Sequence, residues 1–168
     1  GKPGWIRDRD YGLEPDAVTE AQRQDCGAIE AIDDQVGSML DLLEERGMMD
    51  NTYVIFSSDH GELALEYEQY YKMSLYEGSV RVPMLMTGPD IPVQGESENL
   101  VSTIDLCPTS ISMAGLPERS DCGGEDLLPL ASRQTMDSRN TAYACFIGTT
   151  MKTLGSFDIK VCKITSGS

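Results

Sequence analysis

The residues best suited to chemistry are an acid and an imidazole that stand side by side. Asp59 and His60 directly follow the run 53–58, and Gly61 comes next. A carboxylate offers a hard oxygen ligand and an imidazole a nitrogen ligand for a divalent cation, while glycine lets the backbone turn sharply beside them. Asp59 and His60 are therefore candidate metal ligands, although such a pair can also be a cap or a surface hydrogen bond. Because His60 is the only histidine, a zinc cluster built on several histidines is excluded.

A lysine follows the pair after twelve positions. Lys72 opens the stretch 72–78, which ends in Tyr-Glu-Gly, and Arg81-Val82-Pro83 comes shortly afterwards. A lysine ammonium on a flexible stem can bring a point charge from a loop to a bound anion. Taken alone, Lys72 could equally be an exposed lysine with no role in chemistry.

Other polar and aromatic side chains around Lys72 remain open to two interpretations. Glu77 and Arg81 are expected to be structural, as an ion pair beneath the site, although Arg81 could reach an acidic group of a substrate. Three tyrosines could line a sugar pocket or simply pack against their neighbours: Tyr70, Tyr71 and Tyr76.

Helical and strand patterns alternate around these residues. Apolar residues recur at three- and four-residue steps between Pro15 and Arg46, which predicts a helix with one apolar face for core packing, and Gly47 is placed to end it. The apolar run 53–57 predicts a strand buried on both faces, and a helix followed by such a strand favours parallel pairing. A second strand is predicted at 80–87, and a short helix at 105–114 in which Asp105 caps the preceding amides.

Composition limits the class of protein and its partners. At 168 residues, with 40% hydrophobic and 24% charged residues, the chain has the size and composition of one globular domain. A net charge of −15 argues against nucleic acid as a partner. No apolar run approaches the roughly 20 residues that a membrane span needs. Five scattered cysteines contain no C-x-x-C motif, namely Cys26, Cys107, Cys122, Cys145 and Cys162.

The motifs from the helix onward resemble the sulfatase family. In that family a strand ends in Ser-Asp-(Asn or His)-Gly, a lysine stands four residues before Tyr-Glu-Gly, and Arg-Val-Pro opens the next strand. This sequence has Ser58-Asp59-His60-Gly61 and then Lys72 at those places, and the resemblance continues to 124–130. It implies an α/β fold, part of an alkaline-phosphatase-like sandwich with a mostly parallel central sheet and flanking helices. Residues 1–140 would be the carboxyl-terminal part of a sulfatase catalytic domain, and 141–168 a divergent tail, with a possible strand at 143–147 and then irregular structure.

The resemblance also implies roles for the three residues. Asp59 and His60 would ligate a divalent cation, usually calcium in this family, and Lys72 would contact the sulfate oxygens and the bridging ester oxygen. The implied reaction is hydrolysis of a sulfate ester, for example of a sulfated sugar, in a lysosomal or secreted protein. Sulfate-ester cleavage builds negative charge on the sulfuryl and leaving oxygens, so fixed cations close to them lower the barrier.

One essential part of such an enzyme is absent from this sequence. Sulfatases act through a formylglycine made from Cys or Ser in Cys/Ser-x-Pro-x-Arg, and no cysteine or serine here fits that pattern. The first eight residues have no initiator Met and no apolar signal core, so we expect them to be internal to a longer or processed chain. The chain is then predicted to be inactive alone and to need an amino-terminal sulfatase portion, which would carry the formylglycine, or a larger assembly. Two alternatives stay open: a catalytically dead, sulfatase-derived structural subunit, and a related metallo-phosphodiesterase or phosphatase.

Overall fold

The computed structural model describes residues 13–72, 74–92, 95–133, 141–149 and 157–165. Four helices and four strands lie in these ranges, in the order α1 (Pro15–Glu45), β1 (Val54–Ser57), α2 (Glu77–Val80), β2 (Met84–Thr87), α3 (Leu106–Met113), α4 (Leu128–Ala131), β3 (Thr141–Thr149) and β4 (Phe157–Thr165). Short 3-10 turns lie at Met49–Asn51, Glu66–Glu68 and Thr103–Asp105. The chain divides into two compact units, one containing 1–49, 60–82 and 146–160 and the other 50–59, 83–145 and 161–168.

The long helix α1 confirms the sequence prediction within one residue at its carboxyl end. Pro15 occupies the first turn, where a missing amide hydrogen costs nothing. After Arg46, Gly47 adopts a φ of +63°, and the amides of Gly47 and Met48 donate to the carbonyls of Glu44 and Leu43. This pair of hydrogen bonds satisfies carbonyls at the helix end that the helix itself leaves without partners.

The apolar face of α1 is not buried among the described residues, contrary to the core packing that its pattern predicted. No residue of the helix is buried, and Ile29, Ile32 and Met39 are 65%, 51% and 59% exposed. A periodic stripe predicts that a helix has an apolar face, whereas the burial of that face depends on a second surface packing against it.

The two-stranded sheet of β1 and β2 does not show the parallel pairing that was expected at β1. The two strands are antiparallel, with Val54 opposite Thr87 and Ser57 opposite Met84. Parallel neighbours need a crossover, usually a helix of some length, whereas the helical pieces described between these strands are one 3-10 turn and the four-residue α2. β1 is also only half-buried, with Phe56 exposed, so the predicted burial on both faces is not found. The second strand begins at Met84 rather than at residue 80, because 77–80 form α2.

The segment 102–127 forms a small core of its own around α3. Ser102 and Asp105 form a capping box: the Asp105 carboxylate accepts from the Ser102 amide at 2.7 Å, as the sequence predicted. Asp105 and Thr109 are fully buried, and Leu127 is nearly so. The helix ends before Gly115, whose φ is +64°, so α3 lies within the predicted helix at 105–114.

The carboxyl-terminal strands differ from the tail expected from sequence. β3 includes the predicted strand at 143–147, and β4 follows it in a two-stranded sheet where irregular structure was predicted. The overlooked signal is the alternation of Phe157, Ile159 and Val161 with Asp158 and Lys160. Residues 1–12, and with them the amino-terminal segment expected to be internal, lie outside the described residues. In the part of the chain that is described, no helix is long and apolar enough to cross a membrane.

Candidate functional site

The three predicted site residues lie in the chain between β1 and α2. Asp59 is the second residue after β1 and is exposed, His60 is half-buried, and Lys72 is exposed. This places the acid and the imidazole directly beyond the carboxyl end of a strand, where loops can bring ligand-binding side chains together.

The structure brings Lys72 to His60. The Nζ atom of Lys72 is in hydrogen-bonding contact with Nε2 of His60, although the residues are twelve positions apart. On the other side of the ring, Nδ1 lies 3.0 Å from the Gly61 carbonyl oxygen. Since a carbonyl can only accept, Nδ1 donates, and the second nitrogen presents its lone pair to the ammonium. The hydrogen bond to Gly61 thus assigns Nε2 as the nitrogen that can bind a cation.

Ser79, which the sequence analysis missed, ties this arrangement to α2. Its hydroxyl donates to the Lys72 carbonyl at 2.6 Å, and its own carbonyl accepts from the Gly61 amide at 2.9 Å. Ser79 is buried, so both bonds are shielded from water. A Cβ atom at residue 61 would clash with the Gly78 carbonyl oxygen, which requires glycine there. The signal available in the sequence was the small-residue pair Gly78-Ser79 at the place where the backbones meet.

Glu62 closes the loop that carries Lys72. Its carboxylate accepts from the Tyr71 amide at 2.6 Å and from the Ala64 amide at 3.2 Å. The Leu63 amide donates to the Tyr71 carbonyl at 3.0 Å, and the Leu63 side chain is 1% exposed. Residues 62–71 therefore form a closed loop that is anchored by the buried Leu63 side chain. Lys72 directly follows this loop, and its side chain reaches His60.

Four tyrosines close to Lys72 in sequence form two ring pairs. Tyr67 and Tyr76 stack with centroids 4.3 Å apart, and Tyr70 meets Tyr71 edge to face at 4.6 Å. Tyr71 is 61% exposed, so one of these rings is available to a ligand. The negative charge of Asp25, followed by burial and by the charge of Glu62, raises the pKa of the Tyr70 phenol.

The loop also holds an unpartnered buried amide and a strained backbone. Gln69 is fully buried, and neither its Oε1 nor its Nε2 has a hydrogen-bond partner. Positive φ angles occur at four non-glycine residues, Ala64, Leu65, Tyr67 and Tyr71. Such conformations cost about 1–3 kcal/mol each and cluster at functional sites. The stretch 64–71 therefore departs from ordinary packing more than any other described loop.

The predicted ligands fit a divalent cation in part. The exposed carboxylate of Asp59 and the imidazole of His60, whose Nε2 carries a lone pair, are suitable metal ligands. Within the described ranges, no group of three or more His, Cys, Asp or Glu side chains could hold a metal ion. Calcium takes about 6–8 oxygen ligands, so these two residues would supply only part of its shell.

Glu77 and Arg81 are both exposed, and the recorded contact between them is a backbone hydrogen bond of 2.9 Å from the Arg81 amide to the Glu77 carbonyl. That bond belongs to the single turn of α2. It gives no support to the ion pair that the sequence suggested.

Comparison with known proteins identifies the family. The sequence model of the sulfatase family matches residues 7–116. Human arylsulfatase K is 45% identical over 100 residues, which are 60% of this chain and 19% of that protein. The phosphonate monoester hydrolase of Agrobacterium radiobacter has a TM-score of 0.68 and 27% identity, covering 74% of this chain and 25% of that one. A protein solved in complex with its substrate D-glucosamine-2-N,6-O-disulfate gives a TM-score of 0.65 and 26% identity, covering 82% of this chain and 28% of that one.

The chain belongs to the sulfatase family and to the α/β class of its structural neighbours. Within that family it is similar to arylsulfatase K. It spans about a fifth of the length of the arylsulfatase K sequences that it matches.

Proposed function

We propose that this chain contributes one side of the active site of an enzyme that hydrolyses sulfate esters. In it, Asp59 and His60 would hold a divalent cation, for which calcium is our first choice, and Lys72 would contact the sulfate group. The observation that carries the proposal is the meeting of the Lys72 ammonium with His60 Nε2. Lys72 and His60 were both selected from the sequence as parts of one site, and their side chains are in contact.

Lys72 would act by placing positive charge where negative charge develops. Its ammonium can donate to a sulfuryl oxygen and to the bridging ester oxygen, and a donor that is already in position stabilises the transition state more than the ground state. The bond from Ser79 to the Lys72 carbonyl and the loop closed by Glu62 fix the origin of the side chain. A divalent cation, when bound, would add positive charge beside the same oxygens.

His60 would serve as a ligand in one defined tautomer. Because Nδ1 donates to the Gly61 carbonyl, Nε2 remains the acceptor without any rearrangement. The same nitrogen accepts from Lys72, so His60 would hold the cation with Nε2 free of the ammonium, and Lys72 would then contact the substrate. The exposed ring of Tyr71 would offer a sugar a flat apolar surface beside that ammonium.

The remaining parts of the enzyme would come from outside these 168 residues. No Cys/Ser-x-Pro-x-Arg is present here, so the formylglycine and the other metal ligands would lie in an amino-terminal sulfatase portion. In that complete protein, β1 and β2 would join a larger and mostly parallel sheet. The additional chain would also offer a surface for the exposed apolar face of α1.

The decisive experiment is the assay of the complete protein, with the Asp59→Ala variant beside it. We expect metal-dependent turnover of a sulfated monosaccharide that Asp59→Ala abolishes, because the loss of a charged ligand leaves the cation weakly held. Glu98→Ala, which removes another exposed carboxylate, is the matched control and should keep normal turnover. Metal-dependent turnover that is unchanged in Asp59→Ala would refute the assignment of this ligand.

A phosphorus ester is the second candidate substrate, favoured by the fold similarity to a phosphonate monoester hydrolase. Assaying 4-nitrophenyl sulfate against a 4-nitrophenyl phosphonate separates the two, since the leaving group is the same. We expect the sulfate to be preferred, in keeping with the match to the sulfatase family. A complete protein with no turnover of either ester and no Cys/Ser-x-Pro-x-Arg would instead support the structural-subunit alternative.

A further inference from the structure

We propose that Cys107 and Cys122 form a reversible disulfide that fastens the loop after α3 to the start of that helix. This would be a site of covalent modification separate from the residues assigned to sulfate chemistry. The inference rests on the approach of the two sulfurs and on the hydrogen bonds that hold their backbones in place.

The two thiols already touch. Cys107 is the second residue of α3 and Cys122 lies in the loop after it, with 3.4 Å between the Sγ atoms. A disulfide bond is about 2.05 Å long, so the sulfurs need to approach by only about 1.4 Å, which small side-chain rotations can provide. Both residues are free cysteines, as is Cys26 on α1.

Side chains on either side of Cys107 accept hydrogen bonds from the backbone that follows Cys122. Asp105 Oδ1 accepts from the Glu125 amide at 2.9 Å, and Thr109 Oγ1 accepts from the Leu127 amide at 2.9 Å. Asp105 and Thr109 are fully buried, so water does not compete for these bonds. The two anchors flank Cys107 in sequence, and together they limit how far Cys122 can move from it.

The local close packing restricts the same loop further. A Cβ atom at Gly124 would clash with the Ile104 carbonyl oxygen, which shows how closely the loop approaches the residues before α3. Within the loop, the Cys122 amide donates to the Arg119 carbonyl at 3.3 Å, and the Arg119 guanidinium pairs with Asp121. Cys122 is thus held in a turn and against the helix start.

The two thiols differ in their access to a reagent. Cys107 is exposed and Cys122 is half-buried. The hydrogen bond with Cys107, then burial, raises the pKa of the Cys122 thiol, while the nearby guanidinium of Arg119 opposes that shift. An external reagent therefore reaches Cys107 first, and Cys122 is placed to react second.

The oxidant would be a small disulfide of the glutathione type. The Cys107 thiolate attacks one sulfur of that disulfide, forming a mixed disulfide and releasing one small thiolate. The Cys122 thiolate then attacks Cys107 Sγ, forming the internal disulfide and releasing the second small thiolate. The protein loses two hydrogens in total, and the small disulfide is reduced to two thiols.

Tryptic peptide mapping tests the proposal directly on the full chain. Cleavage after Arg81, Arg119 and Arg133 puts Cys107 in peptide 82–119 and Cys122 in peptide 120–133. After equilibration with oxidised and reduced glutathione and alkylation, we expect these peptides to be joined, and to separate on reduction. The joined species should outnumber every cross-link that contains Cys26. If Cys107 and Cys122 carry only glutathione or alkyl groups under oxidising conditions, the proposal is wrong.

A second measurement tests whether the fold, rather than closeness in sequence alone, brings the two thiols together. The equilibrium with glutathione gives the effective concentration of one thiol at the other, and we expect it to be about tenfold or more higher in buffer than in 8 M urea. Thr109→Val, which removes the anchor to Leu127 but no sulfur, should lower the value toward that in urea. Cys26→Ser is the matched control and should not change it. Equal values with and without urea would overturn the proposal.

Discussion

Residues 60–82 and residues 102–127 each contain a short helix, and they differ in whether their fully buried polar side chains have hydrogen-bond partners. In 102–127, the fully buried Asp105 and Thr109 bind backbone amides at 2.7–2.9 Å. In 60–82, the fully buried Gln69 has no partner for either amide atom. The segment 60–82 also contains four non-glycine residues with positive φ, namely Ala64, Leu65, Tyr67 and Tyr71.

We interpret this difference as a division between a segment that stabilises the fold and a segment that binds a ligand. A buried polar group with all its partners contributes to stability and fixes one conformation, whereas unsatisfied groups and strained backbone lower stability and are retained where function needs them. We therefore interpret 102–127 as a structural unit that sets the position of one loop. We interpret 60–82 as the segment shaped for a ligand, and in it the Lys72 ammonium is in hydrogen-bonding contact with the His60 imidazole.

The largest effect should come from the charge at residue 72. In the complete enzyme, we expect Lys72→Ala to lower kcat by about 100- to 1000-fold, the loss typical of one transition-state donor. The loss should be greater for an alkyl sulfate than for 4-nitrophenyl sulfate, because a poorer leaving group carries more charge on the bridging oxygen. The unfolding midpoint should not change, since the lysine is exposed. If kcat falls by the same factor for both esters, Lys72 does not act on the bridging ester oxygen.

The next effect concerns stability and belongs to the other segment. Asp105→Ala should lower the free energy of unfolding by about 2–5 kcal/mol, because it removes the fully buried carboxylate that accepts from the amides of Ser102 and Glu125. Chemical unfolding of the protein measures it, with Glu98→Ala as an exposed acidic control. A loss below about 0.5 kcal/mol would show that water reaches these amides.

A matched pair of smaller changes tests the contrast itself. Thr109→Val removes a hydroxyl bound to the Leu127 amide and should cost about 1–3 kcal/mol. Gln69→Met removes an unpartnered amide while keeping the shape, and should be neutral or stabilise the fold by up to about 1 kcal/mol. Equal losses in the two variants would mean that Gln69 is as well satisfied as Thr109, and the contrast would fail.

The smallest effect should come from the exposed ion pair of Arg119 with Asp121. The guanidinium holds the pKa of the Asp121 carboxyl below its usual range. A carboxyl whose pKa is lowered by folding contributes stability above its unfolded pKa and loses it as pH falls through the folded pKa. Both side chains are more than 60% exposed, so solvent screens the pair and Asp121→Asn should leave the unfolding midpoint unchanged between pH 2 and 7. A clear shift of the unfolding midpoint at neutral pH would show that this ion pair stabilises the fold.

Local signals in the sequence predicted several of the elements and nominated the residues of the candidate site. Periodicity and Gly47 predicted α1 almost to its ends, and Asp105 was correctly predicted as a cap. The Asp59-His60 pair and Lys72 were selected from motif spacing, and the contact of Lys72 with His60 agrees with that choice without testing their roles.

Features that depend on contacts between distant residues were not predictable in this way. The antiparallel register of β1 with β2 depends on how 58–83 turns back. Ser79 becomes important only because its backbone meets Gly61, and the thiol of Cys107 meets that of Cys122 only through the anchors at Asp105 and Thr109. Nothing in the local pattern around any of these residues marks its distant partner.

The central claim is that Asp59 and His60 hold a cation that faces the same sulfate group as the Lys72 ammonium. The most direct measurement is a double-mutant cycle of kcat/KM in the complete enzyme, using Asp59→Asn and Lys72→Arg, which are mild enough to leave turnover. Our account predicts strong non-additivity, with the double variant scarcely slower than the slower single variant. Losses that simply multiply would place Asp59 and Lys72 at independent positions and contradict the claim.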